Sequence, residues 1–214
     1  MLLSVARHRA YNAAMLDLGN MTQAIWSATQ GRPLEYTHES GGSPQFSRLG
    51  WHAEIVYFLM APLYSLFPSP ITLLVLQGVL FAYAAIPLFN VARLRLGSEW
   101  AALGVMLVYL FYPVAQTAVL FDFHGDTLAM PLLVLALCAL ERKAWRRYWI
   151  FVVLSLSCKI YVAVPVVAMG LALWLTGQRK VGQLTSVVGL VWAAVLLLFV
   201  RPAFSPAIQL AEST

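Results

Sequence analysis

Charged residues are scarce in this 214-residue chain: 14 Lys and Arg, 9 Asp and Glu, together 11% of the whole. A soluble domain carries about 25%. So little charge cannot cover the surface of an ordinary globular domain of this size, which excludes a soluble enzyme and a disordered tail. No long basic face exists either, so the net charge of +5 is not the footprint of a nucleic-acid-binding domain. Cysteine is nearly absent. Cys138 and Cys158 both fall in apolar runs and read as small hydrophobes rather than a disulfide or zinc site. The apolar stretch within residues 1–7 is too short for a signal peptide. No internal repeat and no low-complexity tract stands out.

What the chain does have is apolar sequence. Hydrophobic residues make up 61%, and the mean hydropathy is +0.76. This predicts an all-α, polytopic transmembrane helix bundle of about five to six membrane segments. Residues 71–91, 100–120 and 184–200 are long enough to cross. Residues 127–140 are short for a crossing. Residues 148–176 are too long for one simple crossing and are interrupted by Lys159. The basic clusters then fix orientation, because Lys and Arg in short loops mark the cytoplasmic side. A break at Cys158-Lys159 keeps Arg93, Arg95, Arg142, Lys143, Arg146, Arg147, Arg179 and Lys180 on one side, whereas a single crossing strands the last two. The weakness of the break is length, since 148–158 as helix rises only ~16 Å. Broken helices at membrane depth are tolerated where they line a polar cavity. The expected location is a prokaryotic plasma membrane, with the chain passing through it several times.

Residues 1–50 are the most polar part and form an outer-face, juxtamembrane helical region. A helical pattern over 12–30 ends at Gly31-Arg32-Pro33, and Ser40-Gly41-Gly42-Ser43-Pro44 is a flexible loop. Residues 51–204 are the bundle and 205–214 a tail. Residues 51–67 read as a helix in the interface, with a short crossing as the alternative. On this topology Asp17, Glu35, Glu39, Glu54, Asp122 and Asp126 lie outside. His52 and His124 join them, with Lys159 near the same level. Ionisable groups at membrane depth are costly and so are functional candidates.

The densest cluster is Phe121-Asp122-Phe123-His124-Gly125-Asp126. In an extended loop every second side chain falls on one side, which makes Asp122, His124 and Asp126 a candidate set for a divalent metal ion. The competing reading is a polar turn in which Asp126 caps the next helix. Asp17 is either a helix-capping or exposed acid, or a general base. Lys159 pairs with an acid or holds a phosphate as a point charge. His52 is an interfacial histidine or a catalyst. Gln23 and Trp26 are packing residues, or the aromatic stacks on a sugar ring.

Asp17-Leu18-Gly19 with Gln23 and Trp26, then His52, Ala61-Pro62-Leu63-Tyr64, Phe67-Pro68-Ser69-Pro70 and Phe121-Asp122-Phe123-His124 together resemble an uncharacterised family of prokaryotic membrane proteins, classed as a domain of unknown function. The resemblance covers roughly residues 5–176. That family in turn resembles the GT-C glycosyltransferases, polytopic enzymes that use polyprenyl-phosphate sugars. The resemblance implies that Asp17 is the catalytic base. Lys159, His52, Gln23 and Trp26 would contact substrate or its phosphate, with Lys159 or a metal near Asp122 and His124 offsetting the phosphate charge. The chain departs from the family where Trp51 replaces an acid, and where Lys159-Ile160-Tyr161 replaces a Lys-Glu-Asp string. Relatives also start with an earlier span and continue further, so the chain reads as a truncated or divergent member. Missing flanking helices or a partner subunit would complete it. The leading expectation is a GT-C-like glycosyltransferase or its remnant; the alternatives are a small transporter or ion pathway, and a non-catalytic membrane subunit. No nucleic-acid partner is expected.

Overall fold

The computed structural model describes residues 2–13, 15–37 and 46–205. The chain is all-α. In order it forms α1 (Leu2–Arg9), α2 (Met15–Thr29), β1 (Glu35–Tyr36), β2 (Phe46–Ser47), α3 (Arg48–Trp51), α4 (Val56–Leu66) and α5 (Pro70–Leu96). There follow α6 (Glu99–Phe111), α7 (Pro113–Leu120), α8 (Gly125–Glu141) and α9 (Trp145–Leu156). The last helices are α10 (Ala163–Leu175), α11 (Arg179–Val195) and α12 (Arg201–Phe204). The expected loop at 40–44, Glu39 and residues 206–214 of the expected tail lie outside the described residues.

Among the described residues, two helices have the length and apolarity to cross a membrane: α5, and the continuous run Arg179–Phe204 that joins α11 to α12. The pair α6 and α7 makes a third if its 45° bend belongs to one span. The bend has a local cause. Pro113 has no N–H to donate and forces the preceding Tyr112 to an extended ψ of 117°. The segment expected at 127–140 is helical and slightly longer, and 148–176 is divided between α9 and α10. α8 has 17 residues and α9 has 12, so α9 rises only ~18 Å against a core of about 30 Å. The long run breaks at Lys159, the reading that the charge pattern favoured: α9 stops at Leu156, Lys159 is extended, and helix resumes at Ile160.

The expected helix over 51–67 is corrected. Trp51 ends α3, Ala53 takes a positive φ of 53°, and α4 begins only at Val56. Glu54 is fully buried in that bend. A buried carboxylate must be paired, and the chain turns to bring it to its partners rather than running on as helix.

The chain divides into two compact units: 1–22 with 66–155, and 23–65 with 156–214. In the first, α5 packs on α6 and α8. α5 starts under a Ser69 cap and ends at Gly97 in the left-handed region, φ 65°. Across that turn Arg93 pairs with Glu99 at 3.3 Å. Arg95 pairs with Glu141 at the end of α8, so α5 and α8 both finish at the same basic end. Phe81 stacks on Tyr109 with ring centroids 4.7 Å apart, over a core that includes Ala115 and Val119. In the second unit, α10 and α11 form an antiparallel pair with backbones nearly touching. A Cβ on Gly182 would sit 2.5 Å from the Gly170 carbonyl oxygen. α12 packs on α3, where Ser205 donates to the Gly50 carbonyl at 2.9 Å.

Candidate functional site

The two units hold different candidates. Asp17, Asp122, His124 and Asp126 belong to the first; Gln23, Trp26, His52 and Lys159 belong to the second.

In the first unit the Phe121–Asp126 segment follows the end of α7, whose last carbonyls lack helical partners. Side chains supply them. Ser4 and the buried Gln77 both donate to the Val119 carbonyl at 3.1 Å, and Arg7 donates to that of Leu120 at 2.6 Å. A cation at a helix C-terminus is also favoured by the helix dipole. Beyond this anchor the chain is extended at Phe121 and His124, and α8 starts at Gly125. The alternation that would align three ligands therefore stops at His124. Asp122 is buried, His124 is half-buried, and Asp126 is exposed in the first turn of α8. The expected metal set of Asp122, His124 and Asp126 is thus not assembled. Among the described residues, no group of three His, Cys, Asp or Glu side chains is placed to hold a metal ion. His124 Nδ1 lies 3.2 Å from the Asp122 carbonyl, and its ring rests against Phe121 with centroids 5.5 Å apart. His124 and Asp126 border a pocket of about 290 Å³ whose walls include Tyr112, Phe121 and Met130. Asp17 is half-buried in the first turn of α2. Its neighbours Leu18 and Gly19 border a different pocket, of about 470 Å³, with His8, Arg9 and Pro70.

In the second unit a buried charge cluster forms around Glu54. Arg48 Nε lies 2.5 Å from Glu54 Oε2, the Tyr57 hydroxyl donates to Oε1 at 3.1 Å, and Lys159 Nζ is 3.9 Å from Oε1. All four residues are buried. Two backbone bonds hold the arrangement: Val56 N–H donates to the Ser157 carbonyl at 2.9 Å, and Ile160 N–H to the His52 carbonyl at 3.1 Å. His52 thus meets the Lys159 segment through its backbone, while its ring stands edge-on to Trp51. Lys159 Nζ also lies 5.5 Å from the centre of the Tyr161 ring, and Arg48 the same distance from the Tyr36 ring. Burial pushes the Tyr36 phenol above its ordinary value, with the Glu54 charge adding to the rise and Arg48 opposing it. Burial works against the Arg48 charge, but Glu54 and its hydrogen bond leave the guanidinium above its ordinary value.

Gln23 and Trp26 do other work. Gln23 Oε1 accepts from both the backbone and the hydroxyl of Thr37, at 3.1 and 3.0 Å, and so holds the chain leaving β1. Trp26 is 43% exposed, with the Arg32 guanidinium 5.1 Å from its ring. Sequence reasoning missed Glu54 as the partner of Lys159, and Arg48 as the second cation on that carboxylate. The spacing of six between Arg48 and Glu54 is not a helical one, and along a strand it would hold them ~20 Å apart. The available signal was that a lysine interrupting an apolar run needs an acid.

Apolar helices of spanning length, charge gathered at one end and a buried ionic cluster are the marks of a helical membrane protein. The family model described as predicted membrane protein (DUF2079) matches residues 7–213. The chain belongs to that family, whose function is not assigned. No curated protein and no solved structure matches it.

Proposed function

We propose that the chain is a multi-pass protein of a prokaryotic plasma membrane, with about five to six membrane segments and residues 1–50 on the outer face, and that it is a GT-C-like glycosyltransferase using a polyprenyl-phosphate sugar. The acceptor hydroxyl gives its proton to Asp17, its oxygen bonds to the anomeric carbon, and the carbon–oxygen bond to the lipid phosphate breaks. The phosphate leaves with the electron pair. The observation that carries this reading is the setting of Lys159. A lysine kept buried at a helix break, fixed by the His52 backbone and by Glu54, is costly to maintain in apolar surroundings. Such a cation suits the charge that develops on a departing phosphate. The bend that carries Glu54 and the extended residue at Lys159 hold it in place before substrate arrives.

The test is transfer from a synthetic polyprenyl-phosphate sugar by the full chain in vesicles. Asp17→Asn is expected to abolish transfer with membrane insertion intact, since an amide cannot take the proton. Transfer that survives the substitution removes the base role. A wild-type chain that inserts but transfers no sugar from such donors removes the transferase reading.

A further inference from the structure

A third pocket lies at the basic end of the first unit, where α5, α8 and α9 meet. It has a volume of about 270 Å³. Pro87 of α5, Leu135 of α8, and Ile150 and Phe151 of α9 give it apolar walls, and Arg142 and Arg147 are the charged residues on its lining. Both arginines are exposed, so their guanidinium groups reach solvent while the walls beneath stay apolar.

The turn that sets them is well defined. Arg142 caps α8, Lys143 takes a left-handed φ of 53°, Lys143 N–H donates to the Leu140 carbonyl, and Ala144 N–H reaches back to that of Ala139. These two bonds are the pair that closes a Schellman motif. The turn brings the first residues of α9 back beside the end of α8, so Arg142 and Arg147 meet at one opening. The same end of the unit carries Arg93, Arg95, Lys143 and Arg146, against only Glu99 and Glu141, and both acids are already paired with arginine.

We infer that this pocket binds an anionic phospholipid, with the headgroup phosphate between Arg142 and Arg147 and an acyl chain along the apolar walls. Three observations converge. The apolar stretch of α8 gives way to a basic turn at this level, which is where headgroups lie beside a membrane helix. The two guanidiniums match a phosphate by charge and by hydrogen-bond geometry. The volume is below the roughly 300–1,000 Å³ of a site for a whole drug-sized ligand, so it suits one segment of a long molecule whose remainder stays in the bilayer. Basic pockets between membrane helices on the cytoplasmic side are a recurrent place for anionic lipids. The inference needs a membrane protein but not a transferase.

The experiment uses the full chain purified in detergent and titrated with phosphatidylglycerol or phosphatidylcholine. Bound lipid is read by native mass spectrometry and stability by thermal shift. Phosphatidylglycerol is expected to bind more tightly, and the Arg142→Gln/Arg147→Gln variant to lose about fivefold per arginine, about twenty-fivefold in all. Arg179→Gln/Lys180→Gln, a basic pair in the other unit, is expected to keep the preference. Inorganic phosphate alone is expected to give no shift. Equal binding of the two lipids, an equal loss in both variants, or stabilisation by free phosphate overturns the inference. A photoactivatable phosphatidylglycerol on the unaltered chain supplies an independent reading. Its crosslinks are expected on Leu135, Ile150 and Phe151, and labelling spread evenly over all exposed apolar helix faces counts against the site.

Discussion

At the scale of single residues, burial decides which charges matter. Glu54 has no exposed surface and serves Arg48, Tyr57 and Lys159 through its two oxygens. Replacing one partner of a buried ionic cluster leaves the others uncompensated, at a cost of about 3–5 kcal/mol. Glu54→Gln is therefore expected to lower the unfolding temperature sharply, whereas Glu99→Gln, which removes an exposed pair, is expected to cost under about 1 kcal/mol. Equal effects in a thermal melt would show that the cluster contributes no more than a surface contact. Tyr36 gives a pH signature. Its folded-state pKa is raised, chiefly by burial, so folding favours the neutral phenol. The stability it contributes is full below the unfolded value of about 10 and declines as pH rises past it. The melting temperature is expected to fall as pH rises above about 10, and Tyr36→Phe to flatten that slope. An unchanged slope in the variant would assign the alkaline loss to other groups.

At the scale of elements, close backbone approach governs the α10–α11 pair. Gly170 and Gly182 face one another with no room for a Cβ on either, and the atoms in the way are largely backbone. Small residues at such crossings let membrane helices pack tightly. Gly182→Val is expected to separate the pair and destabilise the second unit by more than the 1–3 kcal/mol usual for overpacking, because backbone cannot swing aside as a side chain does. Gly104→Val, at a glycine with open space around it, serves as the control, and a matching loss in both would point to backbone entropy rather than fit. The helices themselves were largely legible. The apolar run around 71–91 became α5, and the stop at Gly31 has its cause in a left-handed φ of 75°. The Phe121–Asp126 string was legible only in part. Its alternation allowed three ligands on one side, with a polar turn as the competing reading, and α8 claims Gly125 and Asp126 for its first turn. A short polar string next to an apolar run does not reveal where helix begins, since a residue in the first turn need not show the helical period.

At the scale of the whole molecule, charge distribution makes the topological claim testable. In a background with Cys138 and Cys158 replaced by serine, cysteines introduced at Arg146 and Lys180 are expected to react with a membrane-impermeant maleimide only in opened cells. One at Asp126 is expected to react in intact cells. Labelling of Asp126 and Arg146 from the same side would overturn the orientation read from the basic clusters. The sequence by itself determined the class of protein. Too little charge to cover a soluble surface, apolar runs of spanning length and basic clusters between them are properties of composition and order, which no fold can alter. It also favoured a break at Cys158-Lys159 over a single crossing, because the break keeps the basic clusters on one side. Only the tertiary structure decided what the partner of Lys159 is. Arg48, Glu54 and Lys159 lie up to 111 positions apart, and their meeting depends on a left-handed residue at Ala53 and two backbone bonds between distant segments. Such pairings follow no local period. They are fixed by the need to satisfy every buried polar group at once.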